Sequence, residues 1–327
     1  MNLVTGGAGF IGAHLVQELL NAGESVRVLE RPGSNVKHLP LDKIELVEAD
    51  IRDRNAVNEA TKGCDYVYHL AADPNLWRQN PAEFDAINFT GAMNVIETAL
   101  ANGAKQVLHT STESILTGAD CKGGSVEHLE LKEEDMIGPY CLSKCRSDMA
   151  AMNLAKSGAP VIIVSPTLPV GPGDRNLTPP TRMALAFCKG EIPAVLECNF
   201  NLIDVRDVAI GLVAAMHQGR PGIRYLLGSE NYKLSEWLGM LGKYVNRPKP
   251  KYRVPYPVAL TVAWVSETWA NHVTHKMPLA TVTGVKLTRR SMFFDPSMTL
   301  TELQLAPRPI TQSAEDTVAW LRDEQLI

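Results

Sequence analysis

The chain has 327 residues, 45% of them hydrophobic and 21% charged, with a formal net charge of −4. That length admits one large or two moderate domains with an ample core. The mild acidity, without any run of like charge, excludes a basic nucleic-acid footprint. The six cysteines, Cys64, Cys121, Cys141, Cys145, Cys188 and Cys198, form no C-x-x-C pair and no Cys/His cluster at zinc spacing, so no metal site is expected. Scattered thiols, with no leader ahead of the first strand, fit a cytoplasmic protein.

The apolar pair Leu3 and Val4 reads as a strand. It runs into Thr5-Gly6-Gly7-Ala8-Gly9-Phe10-Ile11-Gly12, and an amphipathic helix with Leu15, Val16, Leu19 and Leu20 leaves it, stopping at Gly23. Strand, glycine turn and helix make a dinucleotide-binding context. The glycines have separate tasks: Gly6 for the tight turn, Gly9 for close approach of a pyrophosphate, Gly12 for packing helix on strand. The backbone N–H groups at the helix start, around Phe10 and Ile11, face the anion. Strands follow at 25–30, 44–50, 65–70, 106–110 and 161–164. Helices are expected at 55–61, over most of 81–101, and from Pro139 to about Lys156. This alternation argues an α/β doubly wound parallel sheet of Rossmann type over residues 1–165.

The second half, 166–327, reads as a smaller, mixed substrate lobe packed on the first, with some segments returning to the first sheet. Residues 166–180 carry five prolines and two glycines and are expected to be mostly loop. Helices are expected at 181–189, 208–217, 234–245 and 314–324, and short strands at 201–205 and 224–227. The apolar run 254–265 holds Pro255 and Pro257 and is too short to span a bilayer, which leaves a peripheral membrane contact open.

Three features support a dinucleotide at the glycine turn. Glu30 ends the second strand, about 20 residues past the turn, where a carboxylate accepts hydrogen bonds from ribose hydroxyls. Arg31 follows and is suited to a 2′-phosphate. The carboxylate holds the strand-end position itself, so NAD is favoured over NADP. Asp50, with Ile51, ends the third strand and either meets the adenine amino group or caps the next helix; Asp53 is an equal candidate for the cap. Leu70, Ala71 and Ala72 end the fourth strand, and the two alanines permit close approach of a ligand. Pro166, just past the sixth strand, completes the candidate cofactor set.

Tyr140 and Lys144 stand four apart, on one face of a helix. An ammonium beside a phenol is expected to lower the phenol pKa, which makes an effective acid and base. Thr110-Ser111-Thr112 lies about 28 residues upstream, at a strand end. A hydroxyl there can hold a carbonyl or alcohol oxygen within reach of Tyr140.

The glycine turn, Asp50-Ile51, His69-Leu70-Ala71-Ala72, Asn88, Ser111-Thr112 and Tyr140-x-x-x-Lys144 together resemble the extended short-chain dehydrogenase/reductases, over essentially the whole chain. The resemblance implies NAD or NADP as cofactor and a catalytic hydroxyl, tyrosine and lysine. Thr112 fills the hydroxyl slot, with Ser111 as the fallback. Asn88 corresponds to a helix asparagine near the active site, and Lys144 also reaches the nicotinamide ribose. The resemblance also implies a homodimer through helices 88–101 and 140–155. Met136-Ile137-Gly138-Pro139-Tyr140, residues 166–174, Thr178-Pro179, residues 201–208 and Met292-Phe293-Phe294 look like the hopanoid-associated sugar epimerases, a subgroup similar to dihydroflavonol 4-reductases and 3β-hydroxysteroid dehydrogenases. Glu30 departs from the apolar residue of reductase-like members, which again favours NAD. Ser111-Thr112-Glu113 resembles the Ser-Thr-Asp of sugar-nucleotide dehydratases. That pattern wants a second carboxylate next, and Ser114 stands there, so dehydration is not expected.

The expected reaction interconverts a secondary alcohol and a ketone, with Tyr140 moving the hydroxyl proton. A dehydrogenase stops there; an epimerase keeps the ketone, turns it over and reduces its other face. For the substrate, Arg175, Arg182 and Arg206 are candidates to hold a diphosphate, each equally readable as surface charge. Against them stand Leu168, Pro169, Val170, Leu177, Pro179, Pro180, Met183, Phe187 and the run 254–264, an apolar lobe suited to a polycyclic isoprenoid of sterol or hopanoid kind; Thr167 is a further substrate candidate. Trp77 is placed to wall a ring-shaped substrate, or to cover the core. The acidic loop 118–138 is either a lid or a solvated loop. Outside the enzyme class stand a nucleotide-binding protein without catalysis and a scaffold in a membrane-associated assembly. The Thr112, Tyr140 and Lys144 set argues against the first.

Overall fold

The computed structural model describes residues 1–116 and 126–327. The strands are β1 (Asn2–Thr5), β2 (Val26–Glu30), β3 (Ile44–Glu48), β4 (Tyr66–His69), β5 (Gln106–Thr110), β6 (Val161–Pro166), β7 (Leu168–Val170), β8 (Ala194–Val195), β9 (Asn199–Asp204), β10 (Arg224–Leu227), β11 (Glu230–Lys233) and β12 (Tyr252–Arg253). Seven of them form one sheet in the order β10-β6-β5-β4-β1-β2-β3. Every neighbouring pair in it is parallel. Its strands read as apolar runs because helices cover both faces; Val161 to Val164 are wholly buried. One face packs on the helices Phe10–Asn21 and Val205–Gln218 through Leu15, Leu19, Val208 and Leu212. The other packs through Val57, Val95, Ile96 and Ala151 on helices Arg54–Thr61, Ala92–Ala101 and Gly138–Lys156. This is a doubly wound Rossmann sheet. The strand order reverses between β1 and β4, and ligands bind at the carboxyl ends of strands at such a switch point.

The second half builds a three-stranded mixed sheet, β11-β9-β7, and the small pair β12-β8. Its core joins Phe187, Trp237, Leu241, Ile310 and Val318 from helices Pro179–Lys189, Leu234–Val245 and Ile310–Asp323. The two halves interleave. β10 forms the edge of the large sheet against β6, and helix Val205–Gln218 lies against the helix that follows the glycine turn.

The segment 166–180 differs from its expected loop. Pro166 ends β6, and Leu168–Val170 pairs in parallel with β9, because an edge strand tolerates the missing N–H of Pro169. The helix after it starts at Pro179, a first-turn position that suits proline. The proline-containing run 254–265 likewise contains a helix, Tyr256–Trp269, with Pro257 in its first turn. Helix 82–101 is not uniform: Asp85–Gly91 is wound as a π turn. Such turns favour functional sites, and this one carries Asn88. The first part of the acidic loop, 118–125, lies outside the described residues; the rest includes a short 3-10 turn, Glu133–Asp135.

Candidate active site

The glycine turn lies at the switch point. Gly6 has φ +72°, and a Cβ on it would stand 2.9 Å from the Ala71 backbone at the end of β4. A Cβ on Gly12 would overlap the Gly6 carbonyl. Gly9 is the N-cap of helix Phe10–Asn21 and offers no side-chain cap, so the first N–H groups of that helix remain for an anion. The residues present therefore fit a dinucleotide pyrophosphate. Glu30 is buried, and its carboxylate accepts the Ala8 N–H at 2.6 Å. Arg31 is exposed. His38, which sequence reasoning passed over, lies near the Ala8 backbone and feels the Glu30 charge; burial is the first cause of its lowered pKa. No signal marks a lone histidine in the loop after β2, so only the fold brings it to the turn.

At the next strand end Asp50 is held by Arg52, Nη2 to Oδ2 at 2.6 Å, and this hydrogen bond keeps its carboxyl below the usual range. The helix cap is Asp53, which accepts the N–H groups of Asn55 and Ala56. Ile51 is buried against Gly91 of the π turn. Leu70 and Ala71 are half-buried, and Ala72 is exposed. Thr5 links β1 to β4: its hydroxyl meets His69 Nδ1 at 2.8 Å and accepts the Ala71 N–H.

The catalytic candidates do come together. The Thr112 hydroxyl lies near enough to the Tyr140 phenol to lower its pKa. It also donates to Glu113 Oε2 at 3.1 Å. Lys144 is buried and donates to the Thr110 carbonyl at 2.8 Å, tying the helix to the end of β5. Ser111 N–H donates to the Val164 carbonyl, and its buried hydroxyl has no partner among the described residues. Asn88 accepts the Asp73 N–H and donates to the Asp73 carbonyl and the Ser143 hydroxyl, so the π turn joins the end of β4 to the helix carrying Tyr140. His69, part of the motif that ends β4, stacks on His109, which the sequence did not single out, with centroids 5.5 Å apart. Burial, then the Lys144 charge, holds His69 down to about 3, so both charges of a cationic pair are avoided.

The electrostatics correct one expectation. Burial pushes the Tyr140 phenol above its ordinary value, and the nearby Thr112 hydroxyl only partly opposes this. The same burial brings Lys144 down to about 8. An ammonium-lowered phenol is thus not what these side chains produce by themselves. Burial also raises Glu113 to about 7, which makes it a second proton-holding group beside Thr112.

Among the substrate candidates, Thr167 and Pro166 are buried at the end of β6, and the Thr167 hydroxyl has no partner among the described residues. Trp77 is half-buried and donates to Asn271 Oδ1 at 3.0 Å. Met183 packs into the core of the second lobe. Arg175 does not join Tyr140. It pairs with Glu324 at 2.6 Å and its charge acts on His38, on the glycine-turn side. Arg206 is held by Asp204 and Asp316. Arg182 is exposed. Tyr140 itself is packed against an apolar cluster of Ile115, Leu226, Leu287 and Phe294, with Leu76 beside it.

The model of the NAD dependent epimerase/dehydratase family matches residues 2–228. Among curated proteins, one of Synechocystis sp., named as a dihydroflavonol 4-reductase, is 34% identical over 98% of this chain and 94% of its own. Sterol demethylase protein B of Methylococcus capsulatus is 29% identical over 99% of both chains. The crystal structure of gox2253 superposes with a TM-score of 0.87 at 31% identity, covering 100% of this chain and 99% of that one. A glycine turn at the switch point of a doubly wound sheet, a family model spanning more than two thirds of the chain and a relative this similar end to end agree: the chain belongs to the NAD-dependent epimerase/dehydratase family of enzymes.

Proposed function

We propose that this enzyme interconverts a secondary alcohol and a ketone on a polycyclic, isoprenoid-like substrate, with NAD as cofactor and Tyr140 as acid and base. The observation that carries the substrate class is the contrast around the site. Tyr140 faces an apolar cluster, while two of the three arginines suited to a diphosphate, Arg175 and Arg206, are held by carboxylates. A relative named for sterol chemistry points the same way.

Gly6, Gly9, Gly12 and the N–H groups around Phe10 and Ile11 would hold the pyrophosphate, and Glu30 the adenosine ribose, with Asp50, Ile51, Leu70, Ala71, Ala72 and Pro166 around them. When bound, the cofactor supplies or accepts hydride. The chain does the rest. Thr112 holds the substrate oxygen beside the phenol, and Tyr140 moves its proton. Burial keeps the phenol protonated, the form from which a carbonyl would take a proton in the reductive direction, and leaves its acidity to be raised when substrate and cofactor bind. Lys144, anchored on Thr110, fixes the helix so that the phenol stands where the oxygen arrives. Asn88 positions the same helix through Ser143. A homodimer through helices 88–101 and 140–155, in the cytoplasm, completes the proposal; the mass in solution tests the dimer.

The test is turnover by the purified protein with NAD(H) or NADP(H) on a panel of steroid and triterpenoid alcohols and ketones alongside UDP-sugars. Net NADH formation or consumption with a polycyclic substrate, lost in Tyr140→Phe while nucleotide binding persists, is the expected result. Interconversion of UDP-sugar isomers without net redox would replace it with the epimerase reading.

A further inference from the structure

The helix Tyr256–Trp269 has an unusual surface. Of its 14 residues only Ala263 is buried. Trp264 is 63% exposed and Trp269 60%, and Val258, Val262 and Val265 are exposed as well. Leu279, 90% exposed, is folded back onto the helix by its N–H, which donates to the Ser266 hydroxyl at 2.8 Å. Val262, Val265, Trp269 and Leu279 thus line one continuous apolar depression. A contiguous exposed apolar patch of this kind marks an interaction surface.

The charge around the patch selects the partner. Residues 246–291 hold eight Lys and Arg (Arg247, Lys249, Lys251, Arg253, Lys276, Lys286, Arg289 and Arg290) against a single acid, Glu267. Glu267 faces inward, half-buried, and accepts the Val282 N–H. The segment therefore carries a formal +7 in a chain whose total is −4, although Arg253 pairs with Glu197 at 3.3 Å and Arg247 is held by the carbonyls of Cys188 and Lys189. Arg289 lies over the Tyr256 ring, 4.9 Å from its centroid, at the helix start. Tryptophans and valines on a helix inside a basic segment, with exposed Lys249 and Lys251 just ahead of it and Arg289 over its first turn, match the boundary between acyl chains and anionic headgroups. No helix among the described residues is long and apolar enough to cross a membrane, so such a contact lies on the bilayer.

We propose that helix Tyr256–Trp269 and the turn through Leu279 dock this enzyme on an anionic lipid bilayer. The same segment reaches the candidate active site. Asn271 accepts from Trp77, Thr283 packs on Gly138 at the start of the Tyr140 helix, and Leu287 joins Leu76 and Tyr140 in one apolar cluster. The segment that carries the docked face thereby also touches the elements around Tyr140. The docking itself does not rest on the substrate proposed above.

The experiment is co-sedimentation of the full chain with phosphatidylcholine vesicles, with and without phosphatidylglycerol. Binding to the anionic vesicles that weakens as salt is raised is expected. Trp264→Glu with Trp269→Glu should weaken it at least about tenfold, and Lys249→Glu with Lys251→Glu should remove the preference for the anionic lipid. All four positions are exposed, and unchanged thermal unfolding confirms that each variant folds. Absence of sedimentation with anionic vesicles, or tryptophan variants that bind as well as the parent, would overturn the proposal. So would a dimer that Trp264→Glu splits into monomers, because the face would then belong to a second copy of the chain. Vesicle binding is read without turnover, so its failure is distinct from failure of the proposed reaction.

Discussion

Glu30 and Ala8 are joined by a 2.6 Å hydrogen bond from the Ala8 N–H to the Glu30 carboxylate, so the carboxylate that ends β2 braces the glycine turn that ends β1. In the proposed function the same side chain has two tasks: it holds the turn and it would accept hydrogen bonds from the ribose. Two substitutions separate them. Glu30→Gln keeps an acceptor for Ala8 and removes the charge; it should leave folding nearly unchanged and raise NADP affinity relative to NAD. Glu30→Ala leaves the buried N–H unpaired and should cost about 1–3 kcal/mol of stability as well. Titration with both nucleotides and thermal unfolding report the two effects. An unchanged NAD/NADP ratio in Glu30→Gln would remove Glu30 from nucleotide selection.

Two glycines of the turn, Gly9 and Gly12, should respond differently to alanine. At Gly12 the new methyl would overlap the Gly6 carbonyl, a backbone atom that cannot turn aside. Gly12→Ala should therefore destabilise the fold by about 3 kcal/mol or more. At Gly9 the nearest atom is the Gly6 oxygen at 3.1 Å, and φ is −74°, which alanine adopts freely. Gly9→Ala should fold with a near-parental melting temperature and lose nucleotide affinity, because its methyl projects where the pyrophosphate approaches. Equal melting temperatures for the two variants would contradict this division.

Much of this was legible in the chain because it is local. Strand-turn-helix at residues 2–21, the Tyr140–Lys144 spacing and the helix at 234–245 each follow from short-range pattern, and the structure has them in place. What was missed depends on distant partners. Leu168–Val170 is a strand only because β9 lies beside it. Arg175 reads as a diphosphate ligand until Glu324, at the other end of the chain, is found against it. The Tyr140 pKa direction depends on how deeply the helix is buried, which spacing does not report. The apolar run 254–265 was read correctly as apolar, but its prolines hid a helix, since proline is tolerated in a first turn.

Glu113 gives a pH signature. Burial holds its carboxyl up at about 7. Between the ordinary carboxyl range and that value the folded chain keeps a proton that the unfolded chain releases. Stability therefore falls as pH rises through this window, and the loss is complete above it. Glu113→Gln abolishes the titration, so its melting temperature relative to the parent should be higher at about pH 8 than at about pH 5. If the proton serves the reaction as well, an inflection near 7 in the parental pH–rate profile should vanish in the variant. Identical stability differences at both pH values would mean that Glu113 titrates as an ordinary surface acid.

The deepest charge pair supports the site from below. Arg224, 2% exposed on β10, donates to Asp148, fully buried on the Tyr140 helix, with Nη2 to Oδ1 at 2.5 Å. Arg224 Nη1 also donates to the carbonyls of Val126 and Leu129, so one guanidinium ties the edge strand, the helix and the start of the segment leading to Tyr140. Asp148 also supports the Lys144 charge, against the burial that lowers it. Removing one partner strands the other ion in the core: Arg224→Met or Asp148→Leu should each cost about 3–5 kcal/mol. The two together should cost well under the sum, since neither ion then remains unpaired. Urea unfolding of the four proteins measures this coupling. The helix registers against the sheet through this pair, so the double variant should recover much of its stability and less of its turnover. Additive losses would mean that the ions act separately and that the pair does not set the helix that carries Tyr140 and Lys144.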